Sequence, residues 1–269
     1  MTNPSNDGFV RSFARGLAVI HSLGKRDGTH TVAEVAASTK LPRTVVRRIL
    51  LTLCELGYAT ESESRGFRLT PKILTLGTSY LTSLPFWGHA QRALETLWTQ
   101  VVESCAMCVF DGRDAVFVLR IPSLKIMSLS LGVGTHVPAL ATAPGRAILG
   151  FQTADFLERF LDEVPLRAYT ARTVCEKSAL LESLACVRRD GYAWVDGEFD
   201  EYIAGLSVPV RDERLNAVAS ISVNLLSGET TREEAVKKYL PALRVAAHQL
   251  TGLAPAFLGT AVARHTHSL

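Results

Sequence analysis

A two-part α+β chain is the fold class this sequence predicts, and three observations predict it. Charge is unevenly placed: residues 1–80 hold eleven Lys and Arg against six Asp and Glu, whereas the remainder holds eighteen against twenty. Helical and extended patterns follow one another without the strict strand–helix alternation of a parallel doubly wound sheet. A length of 269 residues exceeds one average domain. Together these suggest a small basic module that meets a polyanion, joined to a larger neutral module with another task.

In residues 9–24, Phe9, Phe13, Leu17, Ile20 and Leu23 recur at the three- and four-residue spacing of one helix face, and Gly24 ends the run. Thr31 with Glu34 three residues on forms a capping box for a short second helix whose inner side is Val32, Val35 and Ala36. A break at Lys40-Leu41 precedes Pro42, which suits a first helical position because its missing N–H costs nothing there. The third helix runs to Leu56 and stops at Gly57. Its apolar stripe, Val46, Ile49, Leu50, Leu53 and Leu56, pushes Arg43, Thr44, Arg47 and Arg48 to the other side. Two short extended runs, Tyr58–Glu61 and Phe67–Thr70, flank a turn with Arg65-Gly66 and read as a small hairpin. Three helices and a hairpin within about sixty residues make the winged helix-turn-helix plan, whose third helix enters a DNA major groove. Arg43, Thr44, Arg47 and Arg48 are therefore candidate DNA contacts. Arg65 and Arg68, on the wing, are candidate phosphate contacts, which position a protein without reading sequence.

Pro71 opens a further helix with more apolar positions than so small a domain can cover, a linker that packs on a partner. The predicted organisation is thus a DNA-binding domain over 8–70, a linker over 71–84, a second domain over 85–252 and a loose tail over 253–269. The second domain starts with a helix over Trp87–Glu103 burying Ala90, Leu94, Leu97, Trp98 and Val101. "CAMCVF", "AVFVLRI" and "IMSLSL" read as an antiparallel meander around the turn at Asp111–Asp114. "VPALATAPGRAILGF" leaves the sheet and becomes helical at about Pro144. A helix over Lys177–Arg189 ends at Asp190-Gly191, three strands follow, and Thr231 with Glu234 caps a last helix reaching about Leu250.

Hydrophobic residues at 47% and charged residues at 20% exclude a disordered chain. No run approaches the ~18 apolar residues of a membrane span, and the N-terminus carries no export signal, so a soluble cytoplasmic protein is expected. Five cysteines make an odd set and point to reduced thiols rather than a disulfide framework. Cys105 and Cys108 have redox or metal spacing, yet residues three apart on a strand face opposite ways, so core packing is the better reading. The histidines lack ligand spacing, "GVGT" lacks the rest of a phosphate fingerprint, and neither metal nor cofactor is expected. Asp196 and Glu198 could pair as catalytic carboxylates, but no nucleophile motif stands near them. Not an enzyme, on this reading.

The segments "RSFARGLAVIHSL", "LPRTVVRRILLTLCELGY", "FRLTPKILTLG", "VGTHVPALATAPGRAILG", "RRDGYAWVDGEFD" and "AGLSVPV" carry a resemblance, over almost the whole chain, to the IclR family of bacterial transcriptional regulators. The first and third look most like the branch that regulates protocatechuate, 4-hydroxybenzoate and β-ketoadipate catabolism. The resemblance implies a C-terminal effector-binding domain of GAF-like shape. It also implies a small organic acid or aromatic effector, a double-stranded DNA operator, a homodimer or dimer of dimers, and RNA polymerase as a further partner. Carried over by position, the effector site would comprise Ala143, Pro144 and Gly145 before the helix, then Asp196, Gly205, Ser220 and Ser222, with Met127 at the apolar wall. Ser220 and Ser222, two apart on a strand, point to one face. Where the family offers consecutive backbone N–H groups to a carboxylate, Pro144 removes one. The anion contact would then fall to the amides of Gly145 and Arg146 or to the Arg146 side chain. Two alternatives stand beside this: a redox or enzymatic sensor acting through Cys105 and Cys108, and a DNA-binding regulator without a small-molecule effector.

Overall fold

The computed structural model describes residues 8–24, 28–63, 65–82, 87–123 and 131–251. The chain divides into two compact units, Met1–Tyr80 and Leu81–Leu269. The first contains α1 (Arg11–Leu23), α2 (Val32–Thr39), α3 (Arg43–Glu55), and the antiparallel pair β1 (Ala59–Glu61) and β2 (Phe67–Leu69). A turn of 3₁₀ helix at Pro71–Ile73 leads into α4 (Leu74–Thr82).

Local chemistry accounts for most boundaries. The Thr31 hydroxyl accepts from the Glu34 N–H at 3.3 Å while the Glu34 carboxylate accepts from the Thr31 N–H at 2.7 Å, so both orphan donors at the start of α2 are satisfied. Lys40 takes a left-handed conformation, φ 55°, and turns the chain between α2 and α3. Gly57, at φ 78°, follows the end of α3 in the same region, which glycine enters without steric cost. The core is built from Val19, Leu23, Val35, Val46, Leu50 and Phe67, and each aliphatic side chain buried there contributes ~1.5–3 kcal/mol.

On the apolar face of α1, Phe9, Phe13 and Leu17 are exposed while Leu23 is buried, together with Val19 and Ser22. The first turns of α1 lie at the edge of the small core, where Phe13 and Leu17 line an apolar groove with Val45 and Ile49 of α3. Periodicity reports an apolar face, not what that face touches.

The second unit holds α5 (Trp87–Val101), β3 (Ser104–Asp111), β4 (Asp114–Ile121), β5 (His136–Pro138), α6 (Ala143–Leu149), α7 (Ala154–Glu163), α8 (Lys177–Asp190), β6 (Ala193–Asp196), β7 (Ile203–Arg211), β8 (Ala217–Leu226) and α9 (Arg232–Thr251). The six strands form one sheet in the order β5-β4-β3-β8-β7-β6, with every neighbouring pair antiparallel.

Side-chain alternation sorts the sheet into two faces. Met107, Leu206, Ile221 and Val223 pack with Leu94 and Leu97 of α5 and Tyr239 and Leu243 of α9. The opposite face is met by α6, behind which Phe110, Ile148, Leu149, Phe160, Leu180 and Leu184 join α6, α7 and α8 in a second cluster. This is the α+β sheet covered by helices that the sequence predicted.

Several details depart from expectation. Trp98 is 37% exposed, on the outer side of α5. Helix α7, capped by Thr153, was not anticipated. The strand expected from Ile126 lies outside the described residues up to Leu131. Among the described residues, the sheet ends at the three-residue β5 on one edge and at β6 on the other.

Candidate DNA-contact face and ligand cavity

Burial of Val46 and Leu50 fixes the roll of α3, and the rest of its geometry follows. Arg43, Thr44 and Arg47 lie exposed on one side of its first turns, Arg47 being three residues from Thr44 and four from Arg43. Arg48 is also exposed but sits further round, bordering an apolar groove with Val45 and Ile49 of α3 and Phe13, Leu17 and Ile20 of α1. On the hairpin, Arg68 pairs opposite Thr60, and Arg65 stands at the tip with φ 58°. Gly66 is required beside it, because a Cβ there would lie 2.7 Å from the Thr29 side chain. A bridge between His30 and Phe67 ties the hairpin to the start of α2. The guanidinium groups of Arg43, Arg47, Arg48, Arg65 and Arg68 make no ion pair among the described residues. They present permanent positive charge to a partner outside the chain.

In the larger unit a small cavity of about 40 Å³, partly open to solvent, lies between the sheet and the start of α6. Ala143, Pro144 and Gly205 form its wall as expected, together with Phe117, Leu131, Val137, Phe199 and Asn224, which sequence reasoning missed. Asn224 was within reach: it lies two and four residues beyond Ser222 and Ser220 and so shares their face. Gly205 allows the helix to approach the sheet, since a Cβ there would stand 3.0 Å from Ala143 Cβ. Gly145 turns away from the cavity, its Cα packed so closely that a Cβ would lie 2.2 Å from Ala139.

Other positions carried over by resemblance are placed differently. The Arg146 side chain is not presented to the cavity. It is 3% exposed and forms two bonds to the Glu198 carboxylate, at 2.7 and 2.6 Å, while its Nε donates to the Leu140 carbonyl at 2.7 Å. The pair is itself held by a loop: the Val174 N–H donates to Glu198 Oε2, and the Thr173 hydroxyl donates to the Glu198 carbonyl. Asp196 lies on β6 beside Arg172, 3.5 Å from its Nη1. Asp196 and Glu198 thus each face an arginine, though Asp196 Oδ1 is buried without a hydrogen bond. Ser220 and Ser222 are fully buried on the cavity side of β8. Ser222 donates weakly to the Ala106 carbonyl at 3.5 Å, and Ser220 Oγ has no hydrogen-bond partner. Neither serine belongs to the cavity wall itself. Met127 lies outside the described residues.

The two cysteines cannot act as a dithiol. Cys105 packs on the α5 and α9 face and Cys108 on the α6 face, and burial pushes the Cys105 thiol up to about 12 and raises Cys108 as well. No group of His, Cys, Asp and Glu among the described residues could hold a metal ion. No helix among them is long and apolar enough to cross a membrane.

An exposed cationic helix beside a wing, and a separate helix-covered sheet with its own cavity, define the two-part architecture of a DNA-binding regulator. Residues 12–63 match the IclR helix-turn-helix domain and residues 78–251 match the bacterial transcriptional regulator IclR C-terminal domain; the chain belongs to the IclR family. It is 36% identical to the Pca regulon regulatory protein of Pseudomonas putida over 91% of this chain and 85% of that protein. Against the p-hydroxybenzoate hydroxylase transcriptional activator of Acinetobacter baylyi it is 27% identical, over 91% of this chain and 92% of that protein. A solved transcriptional regulator from Rhodococcus sp. RHA1 superposes with a TM-score of 0.81 at 35% identity, covering 93% of this chain and 99% of the other.

Proposed function

We propose that this IclR-type regulator controls genes for aromatic or related organic acid catabolism, and that a small carboxylate or aromatic effector occupies the cavity between α6 and the sheet. The observation that carries the reading is the cavity itself. Its wall is mostly apolar and includes Phe117 and Phe199, with Asn224, Thr142 and the acidic Asp200 as its polar groups, an apolar lining with few polar groups as in a small-molecule site. The likeness to the Pseudomonas putida Pca regulon protein supports the substrate class.

The protein works as a homodimer that reads two half-sites about one helical turn apart, so an effector acts by shifting the balance between arrangements of the two winged helices. A coupling of ~1–3 kcal/mol suffices. A calorimetric panel of protocatechuate, 4-hydroxybenzoate, β-ketoadipate, muconate and phthalate against the purified protein tests the effector assignment. At least one acid is expected to bind; silence across the panel would remove the effector from the proposal.

On the DNA side, Arg47→Ala is expected to weaken operator binding by ~1–3 kcal/mol if this arginine reads a base edge, with a smaller loss on unrelated DNA. Arg68→Ala should weaken both equally and reduce the slope of log affinity against log salt by about one. Fluorescence anisotropy titrations at several salt concentrations separate the two roles.

A further inference from the structure

Within the larger unit, several arginines, buried or exposed, come with partners. Arg146 holds Glu198, Arg172 faces Asp196, Arg188 donates to the carbonyls of Gly150 and Gln152, and Arg211 lies over the Phe151 ring. Arg120 differs. It sits on β4, half-buried, and its Nε is enclosed by protein without a hydrogen-bond partner. No carboxylate pairs with it among the described residues, and residues 124–130, which follow on the chain, contain no Asp or Glu. Buried donors are rarely left unmet in native proteins, and a guanidinium cannot escape by losing its proton.

The register shows where this cation stands. Arg120 is opposite Ala106, and Ala106 is opposite Ser222; one step along, Ser104 is opposite Asn224. Directly paired residues share a face, so Arg120 belongs to the same face as Asn224, which lines the cavity. A second relation agrees. The guanidinium acts electrostatically on the Cys108 thiol, and Cys108 packs with Phe117 and Leu131 of the cavity wall. Burial lowers the Arg120 pKa, as for a cation stripped of water. The Cys108 thiol, itself raised by burial, stays neutral and supplies no counter-charge. Two further buried groups on this face, Ser104 Oγ and Ser220 Oγ, are also without partners.

We propose that Arg120 is the carboxylate anchor of the effector site, with the hydroxyls of Ser104 and Ser220 as hydrogen-bonding groups on the same sheet face. The inference rests on the effector reading above and deepens it: the ligand is an anion with an apolar body, and its acid group points along the sheet towards β4. Arg120 takes the role that Arg146 cannot fill while Glu198 holds it, and that Pro144 denies to the backbone at the start of α6.

The test is a calorimetric comparison on the full-length protein. The probes are the panel acids and, for any benzoate that binds, its uncharged amide, for example 4-hydroxybenzoate against 4-hydroxybenzamide. Wild type should prefer acid over amide by about 10- to 100-fold, the size of charge-assisted hydrogen bonds. Arg120→Gln should lose the acid by a similar factor while binding the amide as wild type does, and Arg120→Lys should recover part of the acid affinity. The acid–amide comparison needs no variant, so it decides the matter even if Arg120→Gln does not fold. Equal binding of acid and amide by wild type, or unchanged acid affinity in a folded Arg120→Gln protein, would overturn the anchor while leaving the effector site intact. Wild type that binds no acid at all would overturn both.

Discussion

The Arg146–Glu198 pair shows what single residues do in this fold. Both side chains are almost wholly enclosed, and the two charges are 52 positions apart in the chain. Taking them from water is costly, and only their bidentate geometry and the bonds to Leu140 and Val174 offset it. Glu198→Ala should therefore destabilise the protein by ~3–5 kcal/mol, since it leaves a buried guanidinium unpaired. The double change Arg146→Met with Glu198→Leu should lie much closer to wild type. Urea denaturation of the three proteins measures this, and a double variant as unstable as Glu198→Ala would show that the loop over Glu198, not the charge pair, sets the cost. Sequence identified both residues as notable without pairing them. Arg146 was legible as a cation at the start of a helix, and Glu198 as a carboxylate near Asp196. That each is the other's partner is a property of the folded sheet, which no local spacing contains. Arg120 illustrates the converse: in the sequence it is one arginine at the end of an apolar run, and only the lack of a partner for its Nε among the described residues sets it apart.

Among elements, those whose signals are local were legible. The capping boxes at Thr31 and Thr231 use residues three apart, so they are written in the sequence, and the bonds observed are the ones expected. Thr31→Ala should lower stability by ~1 kcal/mol. At α9 the hydrogen bonds from the Thr231 backbone and side chain hold the Glu234 carboxyl below its ordinary value of 4.5. A carboxyl depressed in the folded state adds stability that is present above its unfolded pKa and lost as pH falls through the folded one. Glu234→Gln should consequently flatten part of the loss of stability between neutral and acid pH, read as the urea midpoint at pH 7 and pH 3; an unaltered pH profile would refute the cap's contribution. Helix α6 is different in kind. Gly145 is needed because α6 packs against Ala139 with no space for a methyl group, a long-range demand that sequence shows only as an ordinary glycine after proline. Gly145→Ala should cost at least ~1–3 kcal/mol through overpacking. Strand β5, three residues long, carries too little alternation to be read, and the stripe of α1 was legible as a face but not as to what covers it, because periodicity does not name a neighbour.

Across the whole molecule, charge and core are divided along the same line. The unit Met1–Tyr80 has its own cluster around Val46, Leu50 and Phe67, and the unit Leu81–Leu269 has clusters on both sides of its sheet. The positive excess belongs to the first, and the cavity to the second. Two cores of such different size need not melt together, and two ligands that each address one core should reveal it. Scanning calorimetry of the full chain is expected to show two transitions. An aromatic acid at about a hundred times its Kd should add ~2.7 kcal/mol to the one belonging to the larger unit, whereas operator DNA at low salt should move the other. If effector and operator are coupled, the pair together should differ from the sum of the separate shifts by the same ~1–3 kcal/mol that the acid imposes on operator affinity, because linkage is reciprocal. A single transition displaced equally by either ligand would mean that the two units unfold as one. Separate shifts that add without remainder would mean that the acid binds without informing the DNA-contacting helix.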